Sequence, residues 1–424
     1  MATSTTLRTR SRVLSVLAIL SLLSLFVAAC GGAGGGGIKT GPGVDTANKT
    51  ISLGVLTPLS GIVAAPIGIP LTKGIETYFK AVNASGGIDG YQIKLVERDT
   101  KYDPPTEVEQ YNAIKNQVLM FAESLGTPTT QAIKDLVNRD KILVSVASLD
   151  SYLARQQYMV LVGTPYRLQV ENAFDYVTKQ PGVTNPKTGI IYQDDSYGQD
   201  GLQGYNESIA AYHLDNVGEA TYELTDTDFT SQVTKMKTAG AQFVFLTAIP
   251  TIAAGIIGKA AQLGYTPRWI MQSPAWATGL LGVSPGFTQL LQATTWVMGQ
   301  GASWGDTSQP GMAQMLKDVQ QFAPGQQPDG YFEFGYTEAK VTGAILKKAA
   351  DNGDLTRAGL LNAFNSLNNV DLGGLLPNIH YGASANQRVP SRDSSVYAID
   401  PTQPGDLKNI SGDFTGTAAQ ASQF

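Results

Sequence analysis

The chain has 424 residues, 42% of them hydrophobic, with 30 basic and 35 acidic side chains and a formal charge of −5. That length allows two ordinary domains, and an acidic chain without a basic block is a poor partner for nucleic acid or anionic lipid. One cysteine excludes an intramolecular disulfide, and two histidines leave little for metal or triad chemistry.

Arg8, Arg10 and Arg12 precede an apolar run over 13–29 that ends in Val27-Ala28-Ala29-Cys30. Basic residues, an apolar stretch and small residues before a cleavage point make a secretory signal over 1–29. The run is short for a span of ~20 residues. The cysteine behind Ala29 matches the bacterial lipoprotein signal, so Cys30 is expected to carry lipid and anchor the protein outside the cytoplasm. Removing the leader removes three arginines and takes the charge to −8. Residues 30–50 read as the lipidated cysteine and a glycine-rich tether.

Residues 51–56 are a short apolar run, followed by a turn on Pro58, Ser60 and Gly61. Leu71, Ile75, Tyr78, Phe79 and Val82 then repeat at helical spacing, and glycines at 86, 87 and 90 stop that helix. A strand pattern covers 91–97, a helix 106–116 and a buried strand 118–122, with 123–127 as its loop. Thr127 reads as an N-cap with Pro128 in the first turn, and Ile133, Leu136 and Val137 face inward. A strand over 142–146 ends in Ala147-Ser148, and 159–162 is another apolar run.

The pattern then restarts. A strand covers 188–192, a loop 194–198, and a helix carries Leu202, Tyr205, Ile209 and Tyr212. Asp228 caps a helix with Phe229, Val233 and Met236 inward. Strands follow at 243–246 and 269–271, with a helix marked by Ile252, Ile256, Ala260 and Leu263 between them. Helices are expected at 312–322, 331–350 and 356–367, and 396–399 is strand-like. Two successive sets of alternating strands and helices predict an α/β fold. It has two similar lobes, each a mostly parallel sheet with helices on both faces.

The strings SLGVLTPLSG and NASGGIDGYQIKLVERDTKYDP, with Asp195-Ser196-Tyr197-Gly198 further on, resemble the branched-chain amino acid type of solute-binding protein. The resemblance runs from about residue 51 to about residue 400. It implies a type I periplasmic-binding fold with a three-crossing hinge, near residues 165, 301 and 371. The first lobe would be 51–165 plus 302–370, and the second 166–301 plus 371–424. It further implies a receptor that hands a small molecule to the permease of an ABC transporter. A sensing or surface-interaction lipoprotein on the same fold is the alternative.

Enzyme signatures are missing. The sequence has no Gly-x-Gly-x-x-Gly after the first strand and no calcium loop behind Asp226 and Asp228, and its two histidines leave little for a hydrolase triad. Neither catalysis, cofactor nor metal is expected. What remains is loops at the carboxyl ends of strands, where parallel sheets hold ligands. On the first lobe these offer Ser60, Gly126, Thr127, Ala147 and Ser148. On the second they offer Tyr197, Ile249 and Trp276. A helix start such as that at Thr127 suits an anion. The resemblance assigns carboxylate contact to Thr127, Ala147 and Ser148.

One departure bears on the ligand. Amino-acid binders of this type place an acid in the loop matching 272–279 to hold the ammonium, but no acid occurs from Trp269 to Gln300. Nor is there a tyrosine at 63–66. The expected ligand is an amino acid, or a small carboxylate or amide with an apolar body; the second is preferred unless Glu123 or Asp306 reaches the site, because unpaired burial of an α-ammonium costs several kcal/mol.

Overall fold

The computed structural model describes residues 37–423; the 1–29 leader, Cys30 and its lipidation lie outside the described residues. The chain starts by pairing rather than trailing. β1 (Lys39–Thr40) lies parallel to Asp354–Leu355, and β2 (Val44–Asp45) pairs antiparallel with the start of β3 (Thr50–Thr57). This corrects the tether expected up to residue 50. Gly43 has φ +81°, and a Cβ there would stand 2.4 Å from the Leu119 nitrogen, while its carbonyl accepts the Ser52 amide at 2.7 Å. Here glycine serves close approach rather than looseness.

β3, β4 (Gln92–Asp99), β5 (Met120–Ser124), β6 (Val144–Val146) and β7 (Met159–Leu161) form a parallel sheet in the order β4-β3-β5-β6-β7. Helices cover both faces, so its strands are apolar almost throughout: Ile51, Leu53, Val55 and Leu56 are fully buried. β5 runs two residues further than expected, carrying Glu123 and Ser124 into the interior. The Ile69–Ala84 and Gly330–Asp351 helices touch backbone to backbone on one face. A Cβ at Gly74 would stand 2.0 Å from the Phe332 carbonyl oxygen, and one at Gly335 2.0 Å from that of Leu71.

The second sheet has five parallel strands: β8 (Lys187–Gln193), β9 (Asp215–Tyr222), β10 (Phe243–Thr247), β11 (Arg268–Met271) and β12 (Thr295–Gly299). Their order is β9-β8-β10-β11-β12. β13 (Asp354–Leu355) is the partner of β1, and β14 (Ser395–Ile399) and β15 (Leu407–Asn409) extend the second sheet antiparallel beyond β12. β9 escaped the sequence reading because it is a polar edge strand with one fully buried residue, Tyr222. The Tyr166–Thr178 helix, also unanticipated, drives Val170, Phe174 and Val177 into this sheet's core beside Phe245 and Ile270.

Three crossing segments join the halves and meet at one residue. The Thr164 amide and hydroxyl donate to the Gln300 side-chain oxygen at 3.1 and 2.8 Å, and the same hydroxyl contacts the Asp393 carbonyl. Beside it Gly163 has φ +129°, and a Cβ there would stand 2.2 Å from Gln300 Nε2. The third crossing is thus at Asp393 rather than near 371. The intervening chain stays on the first half: Gly311 donates to the Gly373 carbonyl at 2.7 Å, Tyr381 to that of Leu367 at 3.1 Å, and the Phe364 and Tyr381 rings lie 4.8 Å apart.

Candidate functional site

The carboxyl ends of the strands in both sheets open onto one cavity of about 240 Å³, walled also by the segments 302–304, 330–337 and 397–407. Six of the eight residues expected at a ligand site line it: Gly126, Thr127, Ala147, Tyr197, Ile249 and Trp276. Ser60 and Ser148 are not in the lining. The Ser60 hydroxyl donates to Asp99 Oδ2 at 2.6 Å and the Leu59 amide to Asp99 Oδ1 at 2.9 Å, so this serine ties its own exposed loop to the end of β4. Ser148 stands behind Thr127, their hydroxyl oxygens 2.7 Å apart.

That pair corrects the capping role given to Thr127. Gly126 is the N-cap of the Thr127–Asp140 helix, and the Thr127 hydroxyl is turned to Ser148. Gly126 has φ +104°, with Tyr102 ring carbon 2.4 Å from where a Cβ would sit, so only glycine lets the aromatic ring lie over the helix start. The Gly126 amide is occupied by the Ala147 carbonyl at 3.2 Å. Asp228 likewise sits one place before its helix: Phe229 is the N-cap by geometry, and the Asp228 carboxylate accepts the Thr230 amide at 3.1 Å.

On the opposite wall, the Asp195 carboxylate accepts the Tyr197 and Gly198 amides at 2.9 and 3.2 Å, which starts the Ser196–Tyr212 helix. Tyr197 donates to the Ala248 carbonyl at 3.2 Å, and its ring meets Tyr166 edge-on at 4.9 Å. Its hydroxyl is thereby spent within the wall, leaving the ring as an apolar surface. Leu149, Tyr166 and Tyr197 form a buried cluster against which Phe334 packs.

Several lining residues were not anticipated. Val63, Ile67 and Leu71 supply an aliphatic patch where the sequence offered only the lack of a tyrosine. Tyr102 arrives from the turn after β4, in the left-handed region at φ +59°. Trp304 lies in the loop after β12, whereas Tyr331, Glu333 and Phe334 come from outside any strand-end loop. Their signal was helical phase: Phe332 and Tyr336, four apart, are buried in the core, so 331, 333 and 334 must face elsewhere.

Glu333 changes the electrostatic picture. The site was expected to have no acid unless Glu123 or Asp306 reached it; neither lines the cavity, and Glu333 does. It is the only carboxyl in the lining, which holds no Lys, Arg or His, and its side chain has no hydrogen-bond or ion-pair partner among the described residues. Burial pushes its carboxyl up to about 8, which keeps it largely protonated at neutral pH. The remaining polar groups are hydroxyls and amides. Gln169 accepts the Ser273 amide at 3.2 Å and donates to the Thr164 carbonyl at 2.9 Å, so it is committed to the frame. The cavity is an apolar, aromatic chamber with one neutral carboxyl and a helix start. That suits a ligand with a small polar head and a long or broad apolar body.

Comparison with known proteins agrees with this architecture. Residues 50–404 match the family model described as periplasmic binding protein. A Leu/Ile/Val-binding protein homolog of Brucella melitensis is 29% identical over 47% of this chain; the chain spans about half, 54%, of that relative's length. An amino acid binding protein of Pseudomonas aeruginosa is 24% identical over 71% of this chain and 79% of its own. Among solved structures, a fatty acid ABC transporter substrate-binding protein from Thermomonospora curvata superposes with a TM-score of 0.84 at 28% identity, covering 91% of this chain and 97% of its own. A branched-chain amino acid ABC transporter protein from Thermus thermophilus with bound valine gives 0.74 at 15% identity, covering 88% and 98%, and shares the fold. With the family model covering most of its length and two α/β sheets joined by three crossings, the chain belongs to the periplasmic binding protein family, in its type I fold.

Proposed function

We propose that this protein is an extracytoplasmic solute-binding lipoprotein of an ABC importer. It closes on one apolar-bodied carboxylic acid or amide and presents it to the permease. The observation that carries the ligand class is the cavity between the sheets, with its aromatic and aliphatic walls and single, largely neutral acid. An amino acid needs a fixed anion for its ammonium, and a carboxyl that burial keeps protonated is poorly disposed to supply one. The resemblance to a solved fatty acid transporter protein points the same way. Thr127, Ala147 and the helix start behind Gly126 are proposed to receive the polar head, and Ile249, Trp276 and the Tyr197 ring to face the body.

The two bodies that close are proposed to be residues 51–165 with the chain from 302 to the crossing at Asp393, and residues 166–301 with the chain beyond. Cys30, exposed by cleavage behind Ala29, is proposed to carry the lipid. No catalytic step is proposed. Calorimetric titration with medium-chain fatty acids, aromatic acids, their amides, leucine and valine tests the ligand class. Submicromolar leucine binding with no response to acids or amides would refute it. Small-angle scattering with a saturating ligand should show compaction. Mass spectrometry of the mature N-terminus should find a lipidated Cys30, and an unmodified terminus at any other residue refutes the anchor.

A further inference from the structure

The one carboxyl in the cavity has no stated task in the binding of an anion, and an ionised Glu333 would oppose it. It sits in the first turn of the Gly330–Asp351 helix, and no Lys, Arg or His shares the lining to neutralise either charge. Glu333 is partly exposed to the cavity, and two carboxylates within one apolar cavity cannot both ionise without cost. The side chain is also not needed for folding contacts: no hydrogen bond or ion pair holds it among the described residues, although polar groups around it are paired. Asp329, at the N-cap of the same helix, accepts the Tyr331 and Phe332 amides, each at 2.9 Å. An unheld polar side chain in an apolar wall is disposed to act on what enters.

We propose that Glu333 is the specificity-determining residue of this cavity: it admits an anionic, apolar-bodied carboxylic acid only while its own carboxyl is protonated, so that binding of such an acid is linked to a proton. The inference rests on the acid-or-amide reading above and deepens it. The protonated carboxyl offers an O–H to the ligand or to a water beside it, whereas the ionised form repels the ligand. Below about pH 8 the carboxyl is protonated and affinity is full; as pH rises through that value the anion must bind against a growing charge. The other titratable groups in the lining are Tyr102, Tyr166, Tyr197, Tyr331 and Tyr397, the last facing Glu333 from β14. Burial raises every one of them above the ordinary tyrosine range, so none titrates in the same window.

The test is calorimetry with octanoate and octanamide on the full mature protein between pH 6 and pH 9.5, for wild type and Glu333→Gln. Octanoate is anionic throughout, and octanamide is a neutral isostere. The expected wild-type result is an octanoate Kd about tenfold weaker at pH 9 than at pH 7, following the one-proton slope. Octanamide should bind with little pH dependence. Glu333→Gln should keep octanoate affinity at pH 7 within a few-fold and lose the slope. Equal slopes in both proteins, a flat wild-type profile, or octanamide matching the octanoate profile overturns the role of Glu333. If neither probe binds at any pH, the acid-or-amide reading falls and this inference with it. If leucine binds wild type and is lost in Glu333→Gln, the carboxyl is an ammonium partner instead. The octanamide arm needs no variant, so a folding defect in Glu333→Gln leaves the proposal open to refutation.

Discussion

The interiors behind the two sheets are built from different materials. Behind the second sheet, Phe174, Tyr205, Phe245, Ile270 and Met298 form one aromatic and aliphatic cluster. Its polar tips are partnered: the Tyr205 hydroxyl lies 3.0 Å from Thr188 Oγ1 and donates to Asn216 at 3.1 Å. Behind the first sheet, Glu107, Glu123 and Glu338 are each fully buried. Glu123 and Glu338 lack well-formed hydrogen bonds, and Thr57 and Ser145, which lie nearest to them, draw their carboxyls down only partly against the larger effect of burial. Only Glu107 is held, by the Ser124 hydroxyl at 2.7 Å. Burial pushes Glu107 and Glu338 up to about 8, and burial with Glu338 nearby raises Glu123 too. The cluster around Phe245 is therefore stabilised by packing, which pH does not touch, and a raised carboxyl of this half, Glu171, which burial pushes up to about 9, lies outside that cluster on the Tyr166–Thr178 helix. The first holds neutral carboxyls, whose cost of ionisation makes its stability a function of pH.

The largest effect should come from the packed core. Phe245→Ala removes a fully buried ring from the middle of the second sheet and should cost roughly 3–5 kcal/mol, read by urea unfolding. The loss should be the same at pH 5 and pH 8. A loss that varied strongly with pH would break the distinction drawn between the two interiors.

Next in size is the pH dependence itself. A buried carboxyl raised from about 4.5 to about 8 favours folding fully below pH 4.5, and that contribution is lost progressively as pH climbs to 8. The stability of wild type relative to Glu338→Gln should therefore fall by up to ~1.4 kcal/mol per pH unit across that window and level off above it. Taking the difference between the two proteins removes the surface acids, some of which act in the opposite sense. Asp140 is one: the Arg139 side chain, with Lys115, holds its carboxyl well below the usual range. A difference that did not change with pH would mean that Glu338 is already charged in the folded protein.

How far the sequence revealed this follows from what each signal is made of. Apolar runs announced the central strands, because a parallel strand covered on both faces must be apolar, and glycines announced the helix stop after Val82. The polar edge strand β9 gave no such run. Glu123 was read as loop because an acid ends an apolar run; only the fold shows that the strand continues through it into the interior. At the site, loops ending strands were legible as positions, which is why Gly126, Thr127, Ala147, Tyr197, Ile249 and Trp276 were found. Of the residues that set the cavity's chemistry, Tyr102 and Trp304 lie in the turns after β4 and β12, and Glu333 and Phe334 on a helix brought in by the crossings. Their meeting depends on contacts between distant segments, which no local pattern carries. The third crossing was misplaced for the same reason, since the Gly373 and Tyr381 hydrogen bonds that keep 371–381 on the first half are long-range.

One helix serves both the buried acids and the cavity, and its seat can be tested next. The Gly330–Asp351 helix carries Glu333 to the cavity and Glu338 to the core five residues later. It lies against the Ile69–Ala84 helix so closely that Gly335→Ala would drive its Cβ to 2.0 Å from the Leu71 carbonyl oxygen. The helices must separate, at a cost of about 1–3 kcal/mol. The shift should also alter the Glu333 environment, so that both denaturant stability and ligand affinity change. Unchanged affinity would show that the helix tolerates displacement at its cavity end.

The smallest effect concerns a contact between the halves. Tyr331, beside the cavity, donates to the Pro274 carbonyl at 2.7 Å, linking the helix that seats on the first sheet to the loop after β11 of the second. It is separate from the covalent crossings and from the Thr164 junction, so it can open without unfolding either core. Tyr331→Phe keeps the ring and deletes one hydrogen bond worth about 0.5–1.5 kcal/mol. Because that bond exists only when the halves are together, its loss should fall on ligand affinity, weakening it roughly two- to tenfold. The urea stability of the unliganded protein should change little. Calorimetry with an acid that saturates the wild type, beside unfolding of the same two proteins, separates the two effects. If stability falls and affinity does not, the bond belongs to the fold of one half rather than to closure, and the two interiors are less independent than their composition suggests.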